Sequence, residues 1–430
     1  MVTVNVRIWG ISIGVVSWNP ERGYATFELL PDFYRYGLDL APLIMPIESI
    51  KMGQRLFEFP QLNSITFSGL PGMLSDSLPD AFGNQVIKSW LETQGRDAKS
   101  FTPVEKLSYI GERGMGALEY YPASYKPKQE GNEIELERLI SLVDKVLDDR
   151  RSFTVNLEEN EEQALAELIT IGTSAGGQRP KVIIAYNRKT GEIRSGQVDV
   201  PDDFEHFILK FDGVKEGQLS DPAGYGKIEM VYHLLAKECG INMEFCDLLN
   251  ENGRSHFITR RFDRKNGEKI HSQTLCAIAH YDYMQAGMYS YEGTFAEMRD
   301  IGLPYSDFEQ LFRRMVFNVV SRNQDDHTKN ISFLLEKDGE WRLGPAYDVC
   351  WSYNPQGDWT NTHQMTINNK RDEFTMEDLL YFADNQNIKK PTEIIEQVIE
   401  VFTIWPQLAK EYDIESERIE FIRKTHRLNL

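Results

Sequence analysis

Cysteine is scarce: the chain has four in 430 residues, Cys239, Cys246, Cys276 and Cys350, and no two stand in a C-x-x-C spacing. Scattered thiols of this kind fit a reducing compartment and argue against a disulfide scaffold or a zinc site. Long apolar runs are missing as well. No window gathers the roughly 18 apolar residues that a membrane-crossing helix needs. The opening, Met1-Val2-Thr3-Val4-Asn5-Val6-Arg7, lacks a basic stretch followed by an apolar run and a small-residue cleavage site, so a cytoplasmic protein without membrane contact is expected. Positive charge is also short. Lys and Arg number 47 against 66 Asp and Glu, a net charge of -19. Such a surface repels phosphates, which excludes broad non-specific wrapping of nucleic acid but leaves a DNA-binding partner open. Several catalytic signatures are absent too. No G-K-[ST] closes a glycine loop, and no G-x-G-x-x-G follows a strand. There is no internal repeat and no low-complexity segment.

What is present describes a globular protein of more than one part. Hydrophobic residues make up 41% and aromatics 11%, which leaves little room for long disorder. A chain of 430 residues exceeds one compact core and predicts two or three domains. Val2, Val4, Val6 and Ile8 alternate with polar residues, the period of a half-buried strand, and turns at Gly10, Gly14 and Asn19–Gly23 predict a small meander. A helix follows near residues 84–93, a polar linker at 122–132, and an amphipathic helix over Glu133–Asp149. The acidic run Asn156–Glu167 reads as a solvated helix face. Further on come strands at Lys181–Tyr186, His206–Phe211 and His256–Arg264, with a helix at Tyr225–Cys239 stopped by Gly240. Residues 270–430 are mainly helical. Within them Phe308, Leu311, Phe312, Met315, Val316, Val319 and Val320 form one apolar stripe, and Ser306 with Glu309 predicts a capping box at its start.

That buried helix ends at Asn323-Gln324-Asp325-Asp326-His327-Thr328-Lys329-Asn330. Asn330 stands five residues after Asp325, and Asp348 lies beyond a hairpin with an Asp338-Gly339 turn. A base Asp, a metal-binding Asn, a short strand pair and a metal-binding Asp is the layout that phosphoryl transfer to a hydroxyl uses, with Mg²⁺ held by few protein oxygens plus phosphates. Any one Asp or Asn here is more often a turn residue; the joint pattern after a buried helix is rarer. Upstream, Gly172-Thr173-Ser174-Ala175-Gly176-Gly177 offers backbone N–H groups and hydroxyls to a phosphate, though alone it reads more readily as a plain turn. Lys210, on a strand, is the candidate for the α/β-phosphates, with Glu229 a weaker partner; the plain alternative is an exposed strand lysine. His327 is expected to hold the loop by hydrogen bonds, because no other histidine stands at ligand spacing for a zinc hydrolase.

On these motifs the chain resembles the HipA family of toxin serine/threonine-protein kinases. The stretches that carry the resemblance are Gly172–Lys181, Arg261-Phe262-Asp263-Arg264, Asn323–Asn330 and Tyr347-Asp348-Val349, together with Asp76-Ser77-Leu78-Pro79-Asp80 and Gly111–Leu118. The resemblance implies an α+β, bilobal, kinase-like fold. A β-rich N-terminal subdomain would occupy 1–122, a kinase N-lobe core 133–262, and a helical C-lobe 263–430. It implies ATP and Mg²⁺ as cofactors. Asp325 and His327 would be catalytic, and Asn330 and Asp348 would hold the metal. Thr173, Ser174, Ala175, Gly176, Gly177, Lys210, Arg260, Phe262, Asp263 and Asn330 would meet the nucleotide, with Arg260 to Phe262 reaching adenine through backbone and Asp263 the ribose. Thr173 or Ser174 would be the autophosphorylation site. The implied activity is phosphorylation of a Ser/Thr acceptor in a translation-related protein. The implied partner is a small helix-turn-helix antitoxin, with DNA reached only through it. The rival readings are a binding module that acts as co-repressor with that antitoxin, and a kinase-like phosphotransferase for a small molecule.

Overall fold

Alternation in the first strand has the predicted consequence: Val4, Val6 and Ile8 of Thr3–Ile8 are buried, while Thr3 and Asn5 face outward. In this computed structural model, the structure describes residues 2–93, 95–125, 136–137, 139–140, 143, 180–197, 200–213, 215–216, 219–220 and 224–430. The Gly172–Gly177 loop, with Thr173, Ser174, Ala175, Gly176 and Gly177, lies outside the described residues. So do most of the predicted Glu133–Asp149 helix and the whole acidic run after it.

The chain forms two compact units, one of residues 1–38, 47–226 and 245–271, the other of residues 39–46, 227–244 and 272–430. Among the described residues, the first unit carries two five-stranded antiparallel sheets. In one, the strand order is Leu56–Phe57, Tyr24–Leu29, Ile11–Asn19, Thr3–Ile8, Leu118–Tyr121. In the other it is Cys246–Glu251, Arg254–Arg260, Glu205–Lys210, Lys181–Tyr186, Ile193–Ser195. The second sheet shares its core with the Ala81–Thr93 helix. Phe82, Val86, Ile87 and Leu91 pack in one cluster with Val182, Ile184, Phe207, Leu209 and Ile258. That cluster draws residues from both the 1–122 and the 133–262 stretches. Gly226 marks a close approach within the first unit: a Cβ there would stand 2.1 Å from the Ser255 carbonyl oxygen.

A buried ion cluster ties two of the motif stretches together inside this unit. Asp263 is fully buried and accepts from Arg261 Nε at 2.8 Å, Arg261 Nη2 at 2.7 Å, Arg264 Nη1 at 2.9 Å and the Gly116 N–H at 2.7 Å. Arg264 also donates to the Gly114 and Gly116 carbonyls, each at 3.0 Å. Burial pushes the Asp263 carboxyl up, but Arg261, Arg264 and the Gly116 N–H outweigh it and hold the group well below the ordinary carboxylate range.

In the second unit the helix at Tyr305–Ser321 is the central element. Leu311, Phe312, Met315, Val316, Phe317 and Val320 are fully buried, and the helix packs on Pro391–Phe402. Phe317 meets Phe402 at 5.0 Å between ring centroids. The expected Ser306/Glu309 capping box does not form. The helix begins one residue earlier, with Pro304 at the cap and no side-chain cap. Ser306 lies inside the first turn and donates to Asp307, while Glu309 pairs with Arg313 at 3.1 Å. A proline just outside the helix sets the extended entry that a capping serine would otherwise provide. The predicted hairpin forms between Ser332–Leu335 and Trp341–Leu343. All four cysteines are buried, and none is in a disulfide among the described residues. Among the described residues no helix is long and apolar enough to cross a membrane.

Removing one partner of a buried charge cluster leaves the others unpaired at about 3–5 kcal/mol. Asp263→Ala should lower the unfolding free energy by about that amount in urea titrations near neutral pH. The folded carboxyl has a depressed pKa, so its contribution is complete above its unfolded value of about 3.9 and is lost as pH falls toward the folded value. The difference between wild type and variant should shrink as pH drops below about 4.

Candidate active site

The Tyr305–Ser321 helix stops because Arg322 adopts a left-handed backbone, φ 60°, with its N–H on the Asn318 carbonyl. The chain is then zipped to a neighbouring segment. Gln324 N–H donates to the Ser352 carbonyl at 3.1 Å, and Ser352 N–H to that of Arg322 at 3.0 Å. One 3-10 turn, Thr328–Asn330, closes the loop, with Asn330 N–H on the His327 carbonyl and Asn330 Nδ2 on the Asp325 carbonyl at 2.8 Å. Thr328 Oγ1 donates to the Tyr281 carbonyl at 2.7 Å, which fixes the far side.

Inside this loop two adjacent carboxylates have opposite fates. Asp326 is buried and satisfied. Its Oδ2 accepts from Tyr291 Oη at 3.0 Å and from His363 Nδ1 at 2.9 Å, and its Oδ1 from the Gln364 N–H at 2.7 Å. Arg427 Nη1 donates to His363 Nε2 at 3.0 Å, so Nε2 accepts and the ring proton sits on Nδ1, aimed at Asp326. Burial raises the Asp326 carboxyl, but His363, the Gln364 N–H and Tyr291 outweigh it, so its pKa lies below the ordinary value. Asp325 is the reverse case. Its side chain is 38% exposed. Its Oδ1 accepts from Trp359 Nε1 at 2.6 Å, and no hydrogen bond reaches Oδ2 from the described residues. Burial pushes its pKa up. His327 and the Trp359 hydrogen bond offset part of this, and the charges of Asp348 and Asp326 add to it. Neighbouring carboxyls driven apart in this way are how one site separates a reactive base from a structural anion.

His327 is placed differently from expectation. Its Nε2 is 3.8 Å from Asp325 Oδ1, and its buried Nδ1 has no hydrogen-bond partner among the described residues. The ring is held by packing, 5.3 Å from the Tyr283 ring and 6.4 Å from that of Trp359. Lys329 Nζ lies 4.6 Å over the Tyr283 ring.

Asn330 and Asp348 line one small cavity with His327, Asp326, Tyr291 and Arg314; its volume is about 30 Å³, room for one or two waters. Asp348 has a left-handed backbone, φ 51°, an uncommon conformation that sites of function concentrate. One amide and one carboxylate form too small a set for an all-protein cage, and they fit Mg²⁺, which keeps waters and phosphates as further ligands. Among the described residues no cluster of three or more His, Cys, Asp or Glu is placed to hold a metal.

The nucleotide candidates of the first unit divide. Lys210 is buried at a strand end, 8% exposed, with Nζ 5.5 Å from the Phe257 ring centroid. Directly opposite on the neighbouring strand is Lys181, also buried and given no role by the sequence reading. Arg260 and Arg261 already use their backbone N–H groups, on the Phe245 and His206 carbonyls at 2.8 and 2.9 Å. A base contact through their backbone would have to use carbonyl oxygens. The Arg260 side chain pairs with Glu205 at 3.1 Å, and Phe262 is half-buried. Asp263 is corrected: its carboxylate is enclosed by the arginine cluster and is not available to a ribose.

Sequence reading missed the residues that hold the site from a distance, namely Tyr291, Trp359, His363, Gln364 and Arg427. Loss of Asp326 strands three buried donors, each worth about 1–3 kcal/mol. Asp326→Ala should therefore lower stability by about 3 kcal/mol or more, and Asp325→Ala by no more than about 1 kcal/mol, in chemical denaturation of the two variants side by side.

Known proteins share this architecture. Residues 4–121 match the family described as HipA N-terminal domain, and residues 173–405 that described as HipA-like C-terminal domain. HipA of Shewanella oneidensis MR-1, solved with HipB and operator DNA, superposes with a TM-score of 0.65 at 18% identity, covering 98% of this chain and 94% of that one. That likeness shows the fold, an α+β HipA-like fold. The kinase CtkA of Helicobacter pylori aligns with a TM-score of 0.38 at 12% identity over 59% of this chain and 90% of that one, which is too little to carry an argument. A Sinorhizobium fredii protein named "Putative kinase Y4mE" is 26% identical over 125 residues, 27% of this chain. The chain matches only 30% of that relative's length. With both domain descriptions matched and the fold shared along nearly its whole length, this chain belongs to the HipA family.

Proposed function

We propose that this chain is an ATP- and Mg²⁺-dependent serine/threonine protein kinase, the toxin of a type II toxin–antitoxin pair, acting on a translation-related protein in the cytoplasm. The observation that carries the reading is the split between Asp325 and Asp326: one carboxylate is locked, and the next has an oxygen that accepts no hydrogen bond from the described residues. Asp325 accepts the proton of the acceptor hydroxyl as its oxygen attacks the γ-phosphorus and the bond to ADP breaks. Asn330 and Asp348 would hold Mg²⁺, which neutralises phosphate charge when bound. Lys210 is assigned to the α/β-phosphates and the Gly172–Gly177 loop to the phosphate backbone contacts; the resemblance to HipA kinases supports both. Autophosphorylation is assigned to Thr173 or Ser174 on the same ground. His327 orients the base by packing beside it. Catalysis of this kind rests on positioning and charge neutralisation rather than on a covalent intermediate.

Membership of the HipA family supports the toxin role. The solved assembly of the Shewanella relative with HipB and operator DNA supports a small helix-turn-helix antitoxin as partner. A net charge of -19 favours DNA contact through that partner rather than directly.

With γ-labelled ATP, Mg²⁺ and a cell extract as acceptor, Asp325→Ala should cut transfer to protein by roughly 10²–10⁴-fold. Asn330→Ala and Asp348→Ala should raise the Mg²⁺ concentration needed for half-maximal transfer. Unchanged transfer in Asp325→Ala would overturn the assignment.

A further inference from the structure

The base has a neighbour that its own loop does not provide. Trp359 belongs to the segment Asn354–Thr362, most of which is exposed. That segment is closed on itself. Asn354 Oδ1 accepts from the Gln356 N–H and the Asn354 carbonyl from the Gly357 N–H, both at 3.1 Å, and Asn354 N–H donates to the Thr360 carbonyl at 3.1 Å. Its end is tied to the catalytic loop through one residue. Gln364 Nε2 donates to the carbonyls of Trp359, Thr362 and Gln324, while the Gln364 N–H holds Asp326. The indole is therefore set by the same side chain that sets the loop.

The indole N–H meets Asp325 Oδ1 at 2.6 Å, a short contact of the charge-assisted kind. His327 Nε2 faces the same oxygen at 3.8 Å. Both neighbours crowd Oδ1, and Oδ2 receives no hydrogen bond from the described residues. A carboxylate on a short side chain rotates about χ2 with little preference, because that torsion is broad. A single strong donor on one oxygen removes that freedom and decides which oxygen faces outward.

We propose that Trp359 is the positioning residue for the proposed base. By occupying Oδ1 it fixes the carboxylate plane and leaves Oδ2 as the oxygen that takes the acceptor's proton. The hydroxyl oxygen then bonds to the γ-phosphorus, the proton moves to Asp325 Oδ2, and ADP leaves with the electrons of the broken P–O bond. This rests on the kinase reading of the same site. It adds a residue 34 positions away in sequence that makes the base competent.

The test uses the full chain and has two arms. The chain has seven tryptophans, giving seven indole N–H signals in a ¹⁵N-labelled sample; Trp359→Phe identifies its own by loss. That signal should lie downfield in the wild type and move upfield in Asp325→Ala. A signal that does not move overturns the inference whether or not the protein transfers phosphate. In the second arm, Trp359→Phe, which keeps an aromatic ring and loses the donor, should lower kcat and kcat/KM together by about 10–100-fold with KM for ATP unchanged. In an Asp325→Ala background it should cause no further loss. A change in KM alone, or an additive loss in the double variant, would overturn the positioning role. Absence of transfer by the wild type would instead overturn the kinase reading, and the indole arm separates the two failures.

Discussion

The site depends on one buried anion. Asp326 gathers Tyr291, His363 and the Gln364 backbone around its carboxylate, and Arg427 steadies His363 from behind. Tyr291 is itself held by Asn318 from the central helix at 3.1 Å. Four separate stretches of chain thereby converge on one side chain. An ionised carboxylate tolerates such burial only when its lone pairs are filled. Filling them is what gives the loop between Asn323 and Asn330 a single shape.

From that fixed point the chemistry of the loop follows. A locked Asp326 places Asp325 at the next position, facing the other way, with one oxygen under the Trp359 indole and one open. Asn330 is pulled back onto the Asp325 carbonyl, which brings its side chain into the wall of the cavity it shares with Asp348. The left-handed backbones at Arg322 and Asp348 are the points where regular structure is left for this geometry. In the first unit the same device recurs with opposite composition: Asp263 between two arginines anchors the glycine loop at 114–116. Both are buried carboxylates that tie in a remote segment, His363 and Gln364 in one and the Gly116 N–H in the other, and both serve shape.

Much of this was legible in the residues. The alternation at Thr3–Ile8, the apolar stripe at Tyr305–Ser321 and the Asp338-Gly339 turn each encode local structure by period or turn chemistry, and each formed. Asp325, the proposed base, was set apart from Asp326 by its spacing to His327 and Asn330, which matches the HipA motif. What escaped was non-local. Nothing near Asp326 in sequence announces His363 or Gln364, nearly forty residues on, and nothing marks Trp359 as a donor to Asp325. The arginines beside Asp263 were visible, but their burial was not, and burial is what turned a candidate ribose ligand into a clamp. The capping box failed because Pro304 supplied the helix entry first. Long-range partners leave no periodic trace in a single chain, so the supporting residues around a site are seen only once it is folded.

The central claim is that the open carboxylate at Asp325 serves phosphate transfer to a protein hydroxyl. Quantitative phosphoproteomics after brief induction, wild type against Asp325→Ala at matched expression, tests it most directly. The account predicts that one or a few serine or threonine sites gain phosphate with the wild type alone. Identical phosphoproteomes from the two would contradict it.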